Sequence, residues 1–402
     1  MLLSPESEAV VKATAGVVAE NAEAITARFY PHMFAANPEL MRVFNKANQA
    51  IGEQPKALAA SVVAYAVHLI DPNAPDFTPI MQRIAHKHVS LGIKGTDYTI
   101  VGRHLMWAVG DVLGDAVTPE VAAAWDEVYW LFGAQLIAEE AKLYALGGTD
   151  PAHPWRQYEV VDRVDETEGV FSLEIAPVEG DLPSHHTGQY VAIAVDLPNG
   201  ERQPRQYTIS GVPGGEAFRV TIKRTKGANG APDGQVSNWL ADNAQVGTFL
   251  DVSQPSGDVI LDKSDEPLVL VSAGIGITPM AAIMEDLVQH QPRRKVRIYH
   301  ADRNHGTQAL YQRMLGQSLQ LKDSVGEFWY EEGADQAPTR RPARQGLMDL
   351  SEVEIPEGCR VFMCGPLEFM AGARRQLLER GVPAGRIDYE VFGPDLWARQ
   401  PQ

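Results

Sequence analysis

Two histidines stand one residue apart in "RIAHKHVSLGI", residues 83–93, between apolar neighbours. An imidazole in such a place can ligate a metal, carry a proton, or fill a hydrogen-bonded slot in a core. On a helix, residues three or four apart share a face and residues two apart point away from each other. Ile84, His88 and Leu91 then form one inward stripe, and His86 is expected to meet solvent. A second stretch with chemical content is "VSAGIGITPM", 271–280. Its glycines at 274 and 276 let a backbone turn tightly beside a pyrophosphate, while the next helix aims its N-terminus at the negative charge. Thr278 and Pro279 suit the cap and first position of that helix. The full dinucleotide fingerprint would place a third glycine where Pro279 stands, so alone the stretch reads as a glycine turn just as well.

These residues need elements to hold them. Residues 5 to about 146 read as helices, rich in alanine, leucine and glutamate at helical spacing. "GGTDPAHP", 147–154, closes that region as a linker. Short runs rich in β-branched and aromatic residues follow: "QYEVVDRV", "VFSLEIAPV", "QYVAIAVDL", "RQYTIS" and "FRVTIKRT". Separated by tight turns, they suggest an antiparallel barrel. From about 263, "PLVLVSA", "KVRIYHA" and "CRVFMCG" alternate with helical segments, the pattern of a parallel α/β domain. The expected division is 1–147, a linker at 148–154, 155–262 and 263–402.

A chain of 402 residues is too long for one core, and 45% apolar content fits a folded protein. The net charge of −17 argues against nucleic acid and anionic membranes as partners. No apolar run reaches the roughly 18 residues of a membrane helix. Cys359 and Cys364 are too few for an iron–sulfur cluster or structural zinc. With no apparent leader at the N-terminus, they fit a cytoplasmic protein; a monomer is expected.

The stretch after the linker resembles the ferredoxin–NADP reductase family, through "RQYTIS" (205–210), "GQVSNWL" (234–240), "CGP" (364–366) and "YEVFGP" (389–394) in that order. The resemblance implies that Arg205, Gln206, Tyr207 and Thr208 line FAD, arginine at the pyrophosphate and tyrosine at the isoalloxazine. Gln235, Val236 and Ser237 would hold the FAD phosphates, and Tyr190 would face the adenine. Val391, Phe392, Gly393 and Pro394 would complete the flavin site. NADH or NADPH would sit on Gly274, Ile275, Gly276, Ile277, Thr278 and Pro279, with Cys364, Gly365 and Pro366. Ile277 stands where many relatives carry glutamine. Arg303 suits a 2′-phosphate and Asp302 a free ribose hydroxyl, which leaves the choice between the two dinucleotides open.

A flavin takes a hydride pair and releases single electrons, and a helical domain with one inward histidine is a reasonable haem site to receive them. "ARFYPHMFAANPELMRVFN", "GEQPKAL", "AHKHVSLGI" and "DYTIVGRHL" resemble the globin domain of flavohaemoglobins, and the similarity runs through all three domains. It implies haem b with His88 as proximal ligand, Phe44 and Leu58 in the haem pocket, and Tyr30 and Gln54 beside bound oxygen. Tyr98 and Glu140 would hydrogen-bond around the histidine, and Lys87 and Glu390 would tune the redox centres. The implied activity is nitric oxide dioxygenation, in which NAD(P)H reduces FAD, FAD reduces haem iron, and oxygen there converts nitric oxide to nitrate. A haem-linked hydroperoxide or quinone reductase, with a lipid in the distal pocket, and an oxygen or nitric oxide sensor are the alternatives.

Overall fold

The computed structural model describes residues 2–42, 53–227 and 232–393, without the side chains of residues 42, 53–56 and 59. Phe44 and Pro394 lie outside the described residues, as does the side chain of Gln54. The described part of the first domain contains helices α1 (Pro5–Glu20), α2 (Ala22–Ala36), α3 (Glu53–Ile70), α4 (Thr78–Leu91), α5 (Asp97–Leu113) and α6 (Pro119–Leu146). Ser4 Oγ accepts the Ser7 amide at 3.3 Å and Pro5 takes the first turn of α1. The helices enclose a core that includes Phe29, Met33, Tyr65, Trp125, Phe132 and Leu136. Gly92 ends α4 at φ +72°, a left-handed conformation that glycine adopts without penalty. A Cβ at that position would stand 2.9 Å from Pro154 Cγ and 3.3 Å from Trp155 Nε1, so the helix stop is also a close contact with the chain entering the second domain.

There the chain forms β1 (Trp155–Thr167), β2 (Val170–Pro177), β3 (Tyr190–Asp196), β4 (Arg202–Thr208), β5 (Phe218–Lys223) and β6 (Phe249–Ser253), with helix α7 (Gln235–Asn243) before β6. The sheet order is β4-β3-β6-β1-β2-β5, and every pairing is antiparallel. The sheet curls until Ile209, just past β4, forms one isolated bridge with Val220 of β5. Its ends thus meet at a single point, not along a full ladder.

The last domain holds β7 (Leu268–Ala273), α8 (Ile277–His290), β8 (Val296–Asp302), α9 (Tyr311–Gln320), β9 (Ser324–Tyr330), β10 (Arg344–Gln345), β11 (Arg360–Cys364), α10 (Leu367–Glu379) and β12 (Ile387–Glu390). Its parallel sheet runs β10-β9-β8-β7-β11-β12. Strand order reverses between β7 and β11, and the carboxyl ends flanking such a reversal are where open α/β sheets bind ligands. The segments after these two strands are "GIGITP" and "CGP". No described helix is long and apolar enough to cross a membrane.

Candidate functional site

His88 Nδ1 lies 2.8 Å from Glu140 Oε1 and 2.8 Å from the Tyr98 hydroxyl, and that hydroxyl donates to the same carboxylate oxygen at 2.5 Å. A hydroxyl whose proton is already given to Glu140 can only accept from Nδ1. In the neutral ring the proton therefore sits on Nδ1, and Nε2 keeps a lone pair with no partner among the described residues. Glu140 is only 3% exposed, so its charge depends on these two contacts for compensation. Burial, reinforced by the Glu140 charge, raises the Tyr98 phenol well above its ordinary value, which keeps it a donor. Tyr98 is itself fixed from behind by Tyr129, whose hydroxyl donates to the Tyr98 carbonyl at 2.5 Å. Gly102 makes room for that ring, since a Cβ there would come within 2.4 Å of Tyr129 Cε1. Glu139, by contrast, pairs with Lys142 at 2.6 Å on the outside of α6.

His88 opens into a cavity of about 2280 Å³ that is continuous through all three domains. At its helical end Tyr30, Phe29, Leu58 and Val62 line it. Tyr30 is buried, with its ring edge-on to Phe29 at 4.7 Å. Ile84, Leu91, Val101, Phe132 and Leu136 complete an apolar lining.

The adjoining face of α4, whose Arg83 and Lys87 also line the cavity, docks on the rest of the chain. Arg83 pairs with Asp258 at 3.5 Å and lies over the Tyr389 ring at 4.5 Å. Lys87 Nζ donates to the Gly393 carbonyl at 2.5 Å and approaches that of Val391 at 3.5 Å. His86 does not meet solvent as its spacing suggests: it is half-buried, and its Nδ1 accepts the Gly257 amide at 3.0 Å. Burial accordingly lowers its pKa, against the pull of Asp258. The surface that should be wet is covered by the second domain. Glu390 is buried beside Lys87, and burial pushes its carboxyl up to about 7 against the opposing Lys87 charge. Tyr190, which the resemblance would set at the adenine, opens β3 at this junction, close to Ser90 and Glu390.

Beyond the junction, β4 runs along the cavity and Arg205, Gln206, Tyr207 and Thr208 all line it. Arg205 Nη1 donates to the carbonyl of Pro204 at 2.6 Å and to Gln203 Oε1 at 3.1 Å. Gln235, Val236 and Ser237 open α7 on the same wall. Among the described residues no side chain caps α7, which leaves its first amides available to an anion. The Ser237 hydroxyl is engaged locally, accepting the Thr225 amide at 3.1 Å and donating to the Gly234 carbonyl at 3.1 Å.

At the far end Gly274, Ile275, Thr278, Arg303 and Pro366 line the cavity, as do Val391, Phe392 and Gly393. Gly276, Ile277, Pro279, Cys364 and Gly365 do not. Gly276 is instead the contact between the two loops of the switch point, for a Cβ would lie 2.3 Å from the Cys364 carbonyl oxygen. Ile277 and Pro279 are buried in the helix–sheet core, and burial raises the Cys364 thiol well above its usual value. Thr278 is not the cap of α8. A 3₁₀ turn at Gly274–Gly276 starts the helical geometry early, Gly276 stands at the cap position, and Thr278 Oγ1 donates to the Ile275 carbonyl at 3.1 Å. Asp302 accepts from Thr307 Oγ1 and from the Arg303 amide, each at 2.7 Å. Burial works against its charge, yet contacts from His300 and Thr307 outweigh it and hold the carboxyl below its usual range.

A histidine with a free lone pair in an apolar helical pocket suits haem iron. An arginine, a tyrosine and an uncapped helix start suit a flavin dinucleotide, and the glycine loop at the switch point suits a nicotinamide dinucleotide. Fold and site together define an oxidoreductase that joins a haem-type pocket to a flavin- and nicotinamide-dependent reductase. Family models agree domain by domain: Globin matches residues 27–136, the oxidoreductase FAD-binding domain 168–260, and the oxidoreductase NAD-binding domain 270–375. The flavohemoprotein of Bordetella parapertussis is 40% identical over 403 residues, covering 98% of this chain and 99% of its own. A crystal structure of flavohemoglobin from Malassezia yamatoensis with bound FAD and heme superposes with a TM-score of 0.87 at 33% identity, covering 97% of this chain and all of the other. The FAD/NAD-binding domain of nitric oxide dioxygenase from Vibrio cholerae matches with a TM-score of 0.55 at 32% identity, over 60% of this chain and 99% of that one. The chain belongs to the flavohemoprotein family.

Proposed function

We propose that the chain is an NAD(P)H-dependent nitric oxide dioxygenase. One observation carries the reading: a single cavity links the His88 lone pair, the flavin-type wall at Arg205–Thr208 and the nucleotide-type loop at Gly274. The similarity to the Vibrio cholerae domain, whose parent is a nitric oxide dioxygenase, supports it. Electron bookkeeping fits the layout. Nitric oxide gives up three electrons in becoming nitrate, oxygen takes four, and the missing one comes from the reductase. A flavin bound here would split the hydride pair into single electrons for an iron held by His88.

The residues of the chain do the rest. Glu140 and Tyr98 orient the imidazole and raise its basicity through Nδ1, which favours oxygen activation over storage. Tyr30, buried and lining the cavity, would stand beside bound oxygen, with Gln54 assigned there and Phe44 assigned to the porphyrin by the family resemblance. Arg205 and the first amides of α7 would neutralise the flavin pyrophosphate, and Tyr207 would lie on the ring system. The retained charge of Asp302 disfavours a 2′-phosphate, so NADH is the expected donor, with exposed Arg303 beside it as the competing influence. Free, buried Cys359 and Cys364 suit a reducing cytoplasm, and the protein is expected to act as a monomer.

Purified protein supplied with NADH, oxygen and nitric oxide should form nitrate, two per NADH. NADH consumption without nitrate would refute the reading. The apolar wall of Phe29, Leu58 and Val62 favours one second reading, reduction of a lipid hydroperoxide. Faster turnover with an organic hydroperoxide than with nitric oxide would select it.

A further inference from the structure

Ser90 is fully buried, two residues past His88, and neither the haem pocket nor the flavin wall contains it. Its hydroxyl donates to the Lys87 carbonyl at 2.8 Å, within α4. The same oxygen accepts Gln206 Nε2 at 2.7 Å, from β4. One bond belongs to the helix that carries His88, and the other reaches a strand on the far side of the domain boundary. Tyr190, from β3, stands close to the same hydroxyl. Gln206 lines the cavity, so a residue that would touch a flavin is tied through one oxygen atom to the helix that would hold the iron.

We propose that Ser90 is a positioning residue that locks the His88 helix onto the flavin-side strands and so sets the geometry of electron transfer between them. The proposal rests on the haem–flavin reading above. The other docking contacts of α4 act through long side chains, Arg83 and Lys87, or through one imidazole bond, His86. Ser90 has a side chain of two heavy atoms, so its oxygen is fixed relative to the α4 backbone, and the only play in this contact is that of the Gln206 side chain. A buried amide that loses its acceptor must find another or move, and the nearest freedom belongs to Gln206 itself.

The test uses the full-length holoprotein and the variants Ser90→Ala and Ser90→Thr. Flavin reduction by NADH in stopped flow should stay within two-fold of wild type in both. Subsequent haem reduction should slow roughly ten-fold in Ser90→Ala, a displacement effect, and recover in Ser90→Thr, which keeps the hydroxyl. Flavin fluorescence of the resting protein, quenched by nearby haem without any turnover, should rise in Ser90→Ala alone. An unchanged Soret band would show that His88 still holds the iron. Wild-type haem reduction and wild-type fluorescence in Ser90→Ala would overturn the proposal. If that variant does not fold, Ser90→Cys, similar in size but a poor acceptor, takes its place with the same expected outcomes. A wild-type protein whose haem stays ferric with NADH would overturn the haem–flavin reading as well, which distinguishes the two failures.

Discussion

On its inward face α4 carries one polar group, His88, between Ile84 and Leu91. On its outward face it carries four, Arg83, His86, Lys87 and Ser90, at the spacing i, i+3, i+4, i+7. The inward imidazole has one nitrogen held by Glu140 and Tyr98, and the other left open to the cavity. The outward groups all have partners in the other domains. One face therefore keeps an unused lone pair for a ligand, and the other spends its polarity on fixing where that ligand stands. A single helix thus serves as binding wall and mounting bracket, and the bonds on one side have value only if the other side is rigid.

The largest expected contrast comes from removing the inward group. His88→Ala should lose more than nine-tenths of its bound haem while NADH still reduces ferricyanide through the reductase half. Retained haem with an unaltered Soret band would break the assignment of this face. Glu140→Gln keeps the shape but weakens the pull on Nδ1. Nitrate formation should fall about ten- to a hundred-fold, the usual range for partners of a metal-bound histidine, with flavin reduction by NADH unaffected.

The outward face is probed by Glu390, whose folded value of about 7 stands above the ordinary 4.5. The folded protein keeps a proton that the unfolded chain would release. The stabilisation is therefore present below pH 4.5 and is lost as pH rises through about 7. Relative to Glu390→Gln, the wild type should lose on the order of 3 kcal/mol across that window, followed by denaturant unfolding at a series of pH values. Parallel profiles would mean that the buried carboxyl titrates like a free one. The smallest effect belongs to His86→Ala, which leaves the Gly257 amide without its acceptor. A loss of about 1 kcal/mol in the thermal unfolding of the docked protein is expected, and none if the contact is replaced by water.

This division of α4 shows what the sequence could and could not reveal. Helical spacing alone puts Ile84, His88 and Leu91 on one face, and the structure has them on one wall of the cavity. The same spacing puts His86 opposite, and opposite normally means water. Whether a polar face is wet or docked depends on residues 171 positions away, and no local pattern encodes that. The role of Ser90 is hidden for the same reason, because a lone serine in a helix carries no signature. In the last domain the strands β7, β8 and β11 were legible as continuous apolar runs, whereas β9 and the two-residue β10 alternate too weakly to stand out. The start of α8 is not legible, because a 3₁₀ turn of glycines has no propensity signal while Thr278 and Pro279 imitate one. Tyr190 is set at the adenine by its motif, and its place at the start of β3, close to Ser90 and Glu390, is a long-range contact that no local pattern encodes.

Gly92 has a consequence of its own. Pro154 packs so closely on the end of the His88 helix that a single methyl group would not fit between them, so the peptide joining the first two domains has no play where it leaves the helix. Extra residues inserted among 148–152 would be taken up as surface slack. The same insertion between 154 and 155 would pry at the foot of α4, and its first casualty would be the spacing of the two redox centres, well before either domain unfolded.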